Sequence, residues 1–285
     1  MPFQLRGELE RSRQEQQGKS YLIVKDPVTR RYFRFTEAQA AILELLEAPI
    51  EVETLAARAS ERLGSALSPA TMQAFLDSLE SKLLIDTPAV RESLGSSGRL
   101  ERPGSSVLYW RALSLNPERI FDWLAPRTRW AFTPAFQVVG VLLILSGLTI
   151  LVQQWDRLWA SAPNLLNVRT LFIVWPTVLL VGTYHEFSHG LTCRHFGGKV
   201  SEVGLMLIYF SPAFYCDVSD SWMFPSKRNR MLVTFAGGYS QMILWGLCAI
   251  LWRITDPNTA INHVLLVVVL FSGLQTLFNF NPMIK

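Results

Sequence analysis

The sequence predicts an α-helical multi-pass membrane protein with a small α/β winged-helix-like domain at its N-terminus. Three observations predict this. Of the 285 residues, 49% are hydrophobic and only 18% are charged, and the mean hydropathy is +0.22, a balance unlike that of a water-soluble globule. The second half holds uncharged stretches at about 134–153, 170–190, 231–252 and 263–280, each near the roughly 20 apolar residues that cross a hydrocarbon core. The first third instead alternates short strand-like and helix-like patterns, with turn residues between them. The net charge of +4 comes from scattered basic residues rather than one periodic face, which argues against nucleic acid and for an anionic lipid surface.

Residues 1–20 read as a polar tail with no apolar core of a secretory signal, so the chain is expected to start in the cytoplasm. The domain at 21–88 opens with Tyr21-Leu22-Ile23-Val24, turns at Asp26-Pro27 and returns through Tyr32-Phe33-Arg34-Phe35, the pattern of a hairpin. Thr36 with Glu37 then starts a helix whose apolar stripe, including Ala40, Leu43 and Leu46, stops before Pro49. A second helix is expected at 51–63 with Gly64 as its C-cap. Ser68 with Pro69 opens a third, where Met72, Phe75, Leu76, Leu79 and Leu83 recur at helical spacing. That third helix carries Asp77 and Glu80 beside Lys82, the wrong charge for contacting phosphates.

Residues 89–106, rich in Gly and Ser, read as a linker. The segment 107–130 mixes Trp110, Phe121 and Trp123 with Arg111, Arg119, Arg127 and Arg129, which suits a membrane interface. The membrane domain is placed at 131–285. Arg127 and Arg129 precede the first span, and Arg194, Lys199, Lys227, Arg228 and Arg230 fill the connection between the second and third. The opposite connections hold only Arg157, Arg169 and Arg253. The positive-inside rule then puts the N-terminal domain and the 194–230 connection on the cytoplasmic side of a cell membrane, with a bacterial inner membrane as the expected location. Trp155, Trp159 and Trp252 fall near the predicted outer boundaries. Cys193, Cys216 and Cys248 are odd in number and far apart, so they read as buried thiols rather than a disulfide framework.

The chemistry lies in His185-Glu186-Phe187-Ser188-His189, an HExxH pattern inside an apolar helix. Residues four apart share a helix face, so His185 and His189 can present imidazole nitrogens to one Zn2+ while Glu186 serves as general base. A polar network or a proton pathway between helices is the alternative. Either reading makes ionisable groups at membrane depth functional. Hydrolytic zinc takes a third protein ligand. His195 would supply it in HExxHxxGxxH, but Thr192 replaces the Gly there, and on an unbroken helix His195 points about 240° away from His189. Asp217 and Asp220 follow in a loop that reaches the metal only by folding back into the membrane.

The aromatic hairpin, the helix opened by Thr36-Glu37 and the Leu45-Leu46-Glu47 stop resemble PqqD-type modules. That resemblance implies recognition of a leader peptide by strand addition, and a small structural or regulatory domain is the alternative. The motif at 185–190, Gly237-Gly238 and Asn279-Phe280-Asn281-Pro282 together resemble the site-2 protease class of intramembrane metallopeptidases. The run from Pro212 to Trp222 and Lys227-Arg228 resemble its peptide zinc metalloprotease branch, associated with maturation and export of modified peptides. The resemblance implies Gly237, Gly238, Asn279 and Asn281 as substrate-positioning residues. It also implies an Asp-Gly pair after the Asn-Pro motif as the source of the third zinc ligand. That pair falls due where the sequence reaches Lys285, so the ligand is expected beyond Lys285, the chain reads as C-terminally truncated, and catalysis depends on the missing pair. The segment 200–215 reads as a re-entrant or interfacial hairpin that holds a substrate extended, a packing loop being the alternative.

The expected function is thus a membrane-embedded zinc metalloendopeptidase acting on a peptide or membrane-protein substrate in the bilayer, in maturation or export of a ribosomally made peptide. The alternative is a non-catalytic peptide-binding component that hands its cargo to a peptide-export transporter. A metal transporter or sensor is poorly served by a Glu between the two histidines.

Overall fold

The computed structural model describes residues 2–96, 109–161, 168–208 and 211–279. Contacts divide the chain into two units, Met1–Pro103 with Trp222–Lys227, and Gly104–Ser221 with Arg228–Lys285.

In the first unit strand-forming runs precede helix-forming ones. β1 (Glu10–Gln16), β2 (Lys19–Asp26) and β3 (Arg31–Thr36) make an antiparallel meander in that order. Gln17 and Gly18, at φ 53° and 73°, form the left-handed two-residue turn that a tight hairpin favours. Thr36 caps α1 (Glu37–Leu45) through a reciprocal capping box with Gln39. α2 (Val52–Leu63) stops at Gly64 in the left-handed region. Ser68 accepts from the Thr71 amide to cap α3 (Pro69–Ser81), whose first residue is Pro69. Leu43, Leu46, Leu55, Leu76 and Leu79 pack on Leu22 and Phe35 of the sheet to make the core. The expected hairpin and three helices therefore stand at their predicted places.

Two expectations are corrected. The polar tail at 1–20 is structured: Phe3 bridges Ile50, Leu5 bridges Ile85, and β1 is the sheet's third strand. An edge strand of mostly polar residues is held by main-chain bonds and leaves no hydrophobic pattern to read. The linker at 89–106 begins as a helix, α4 (Pro88–Ser96), because Thr87 accepts from the Val90 amide and Val90 is buried.

The unit also buries an ion pair. Arg6 donates to both carboxylate oxygens of Asp26, at 2.9 and 3.1 Å, and to the Leu83 carbonyl at 2.7 Å. Thr29 and the Val28 amide complete the shell of Asp26. Burial pushes the Asp26 carboxyl up, but the hydrogen bonds from Arg6, Thr29 and Val28 outweigh it and leave the group below its ordinary value.

In the second unit β4 (Tyr109–Leu115) leads to α5 (Glu118–Arg127) and then α6 (Pro134–Gln153), followed by α7 (Trp155–Ser161) and α8 (Val168–His195). The hairpin of β5 (Val203–Ile208) and β6 (Ser211–Cys216) follows, then α9 (Lys227–Ile254) and α10 (Ala260–Asn279). β4 pairs with β5 and β5 with β6, all antiparallel, so the segment read as interfacial contributes a strand to the predicted hairpin. Glu202, next to β5, accepts from Ser114 at 2.7 Å and from Tyr215, which pins the outer strands to the central one. All three cysteines are free thiols.

Two described helices are long and apolar enough to cross a membrane by length and composition. They are α6, with a mean hydropathy of 2.4, and α9, with 1.3. Only 11% of the apolar window of α6 is buried, against 50% of that of α9, so α6 is the outer helix, with Val138, Leu142 and Leu145 exposed. The other two predicted spans lie in α8 and α10. Arg169, His185, Glu186, His189 and Arg194 dilute the hydropathy of α8, and the described apolar run of α10 is the shorter Ala260–Gly273. α6 and α9 meet at glycines: a Cβ on Gly147 would stand 2.7 Å from the Gly246 Cα, and one on Gly246 2.4 Å from the Leu143 carbonyl oxygen. Small residues let helix backbones approach closely.

Three outcomes follow from these contacts. A carboxyl lowered by folding contributes stability above its unfolded pKa of about 3.9, and that contribution is lost as the pH falls through the folded value. Hydrogen exchange of the β1–β3 amides, corrected for intrinsic rates, is therefore expected to show the unit loosening below about pH 4. Arg6→Ala, which strands the buried carboxylate, is expected to cost about 3–5 kcal/mol at neutral pH. Gly246→Val is expected to separate α6 from α9 at a cost of about 1–3 kcal/mol, read as a lower melting temperature of the full chain in detergent.

Candidate metal centre

α8 carries His185 and His189 one turn apart, and it meets one face of α9, where Val233, Gly237 and Gln241 recur at intervals of four. His185 Nδ1 lies 2.7 Å from Gln241 Oε1, and His189 Nδ1 lies 2.6 Å from the Val233 carbonyl oxygen. The two Nε2 atoms face each other at 3.1 Å, with the rings edge to face at 72°.

A carbonyl oxygen only accepts, so His189 carries its proton on Nδ1 and turns the Nε2 lone pair towards His185. Two nitrogens sharing a tetrahedral zinc at about 2.0–2.1 Å stand about 3.3 Å apart, close to the spacing seen. The space beside them is kept open by Gly237, since a Cβ there would sit 2.3 Å from His189 Nε2 and 2.5 Å from His185 Nε2. The pair fits two of the ligands a zinc ion needs. No group of three or more His, Cys, Asp or Glu side chains gathers among the described residues.

Glu186 is turned about 100° round the helix from His185 and accepts from the main-chain amide of Cys216 in β6. That strand runs along α8: a Cβ on Gly182 would touch Phe214 and one on Gly190 would meet Cys216 Sγ. Phe187 faces α5, where its ring lies 5.2 Å from that of Phe121. The histidine pair, Glu186 and Phe187 thus turn towards α9, β6 and α5 in succession.

The other sequence candidates are placed as follows. Gly237 stands against the histidine pair and Gly238 is buried beside it in α9. Asn279 closes α10, and Asn281 lies outside the described residues. His195 stacks on Phe132, centroids 3.8 Å apart. Asp217 accepts from the amide and hydroxyl of Ser219 and closes a turn, whereas Asp220 accepts from the Lys199 amide and ties together the loops before β5 and after β6. Sequence reasoning missed Gln241, although a fully buried glutamine four residues after Gly237 in an apolar helix is a costly group that signals a role.

Gly237→Ala is expected to force the histidine rings apart and weaken zinc binding about tenfold or more, measured as competition with a chromophoric chelator. No protein-family model matches this chain, and no curated protein or solved structure matches it either.

Proposed function

We propose that the chain is the zinc-binding part of a membrane-embedded metalloendopeptidase that hydrolyses peptide bonds. The observation that carries this reading is the facing pair of Nε2 atoms at 3.1 Å, each ring fixed through its Nδ1, with Glu186 next along the helix. Zinc at this place would polarise a scissile carbonyl and make a water acidic enough to ionise near pH 7. Glu186 would take the proton of the attacking water and pass it to the leaving amine. His185 and His189 would hold the ion, with their rings fixed through Nδ1, and the third ligand is expected from outside the described residues.

The sheet suits a peptide substrate. β5 spends its main-chain groups on both neighbours and so has none left for a substrate. β6 is the edge strand that lies on α8, and an extended segment added there would run past Glu186. Apolar side chains exposed on α6, α8 and α9, such as Val152, Phe172, Leu180 and Ile254, suit lipid, in keeping with four spans in a bacterial inner membrane and a cytoplasmic N-terminal unit. That unit would present a peptide in maturation or export, with a peptide-export transporter as partner. The second reading is a peptide-binding export component without catalysis, which the same edge strand β6 would serve.

Glu186→Gln is the test. It is expected to keep zinc and lose cleavage of a peptide substrate by about a hundredfold or more, measured by metal content and product mass in detergent or vesicles. Wild-type cleavage by this variant would sink the peptidase reading. Retained export by the variant, with no cleavage by the unmodified protein, would select the second reading.

A further inference from the structure

His185 can hold a metal through Nε2 only if its proton sits on Nδ1, and the partner of Nδ1 decides this. That partner is a glutamine, whose amide could present either its oxygen or its nitrogen. With the nitrogen towards the ring, Nδ1 would accept, Nε2 would carry the proton, and the ligand would be lost. The orientation is settled on α10. Gln241 Nε2 lies 3.3 Å from the Ser272 carbonyl oxygen, 3.1 Å from its hydroxyl and 3.3 Å from Gln275 Oε1. The carbonyl only accepts, so the amide nitrogen faces Ser272 and the oxygen faces His185. Gln241 is 0% exposed and Ser272 2%, so bulk water does not compete for either group. Trp245, one turn along α9, donates to the Val269 carbonyl at 2.9 Å and holds the two helices in that register.

We propose that Gln241, latched by the main-chain carbonyl of Ser272, is a positioning residue that keeps His185 in its Nδ1–H tautomer and so sets the affinity of the centre for zinc. The inference rests on the metal reading above and adds to it that α10, which contributes neither histidine, controls one ligand. The histidines are not equivalent in this respect: His189 is fixed by a main-chain carbonyl of α9, whereas His185 depends on a side chain that a third helix must orient.

Three variants of the full chain in detergent separate this role from simple packing. Gln241→Leu keeps the size and removes the acceptor. Gln241→Glu keeps an acceptor oxygen towards His185, in the manner of carboxylate–histidine–zinc triads, while giving up the donor to Ser272. Ser272→Ala removes the hydroxyl and leaves the carbonyl. Zinc affinity by chelator competition is expected to fall about 10–100-fold in Gln241→Leu, to be largely restored in Gln241→Glu, and to stay near wild type in Ser272→Ala. Far-ultraviolet circular dichroism and melting report whether each variant is folded. A folded Gln241→Leu that binds as tightly as wild type overturns the proposal, and so does equal weakness of the Leu and Glu variants. If Gln241→Leu does not fold, Gln241→Glu decides alone: retained affinity sustains the proposal and its loss overturns it. A wild-type chain that takes up no zinc overturns the metal reading itself, and with it this role. That failure is told apart from failure of the latch by the wild-type measurement.

Discussion

At Gly237 the main chain of α9 comes so near the histidine pair of α8 that any side chain would fill the space in front of both Nε2 atoms. Most of the second unit's geometry is tied to that approach. It fixes the register of α9, because Val233 and Gln241 lie one turn to either side on the same face and reach the two Nδ1 atoms. Nine residues on, about two and a half turns and so on the opposite side of α9, Gly246 meets Gly147 of the outer helix α6. Trp245 ties α10 to α9 through the Val269 carbonyl. A shift of α9 by one residue would turn all of these groups by about 100° and break each contact at once.

The second constraint is polar satisfaction. An amide or hydroxyl without a partner in an apolar interior costs several kcal/mol, and no buried side-chain nitrogen or oxygen among the described residues lacks one. Helical serines and threonines meet the requirement by bonding back within their own helix, as Thr192 does to the Ser188 carbonyl and Thr276 to that of Ser272. Gln241 cannot do so and must bridge three helices. In the first unit Asp26 and Arg6 obey the same rule with charges, each meeting the other's need together with Thr29 and the Leu83 carbonyl.

Legibility in the sequence followed the range of the interaction. The caps at Thr36, Gly64 and Ser68 are local, involve three or four consecutive residues, and could be read directly. So could α6, an apolar run bounded by Pro134 and Gln153, and the histidine spacing, which needs only the helical period. β1 was not legible because its residues are polar and its stability comes from pairing with β2. β4 was read as interfacial because its aromatic and basic residues fit that role and its partner β5 lies about ninety residues on. Gln241 was passed over because its meaning depends on Ser272 in another helix. The ends of α8 were set too short, since a helix extends beyond its apolar stretch wherever other elements pack on it.

The three sides of α8 explain why a small sheet stands beside a helical site. Glu186, a half-buried carboxylate, needs a donor that stays in place. The Cys216 amide of β6 provides one, and a strand is stiff enough to serve only when its neighbours hold it. β5 does so on one side, and β4, brought from before α6, stabilises β5 in turn through Glu202 and its bonds to Ser114 and Tyr215. Glu186 is thus oriented by a main-chain amide and His189 by a main-chain carbonyl, groups whose positions are fixed by secondary structure rather than by rotamer choice. His185 is the exception, oriented by a side chain. Of the three residues of the motif, it is the one whose state depends on a helix that supplies none of them.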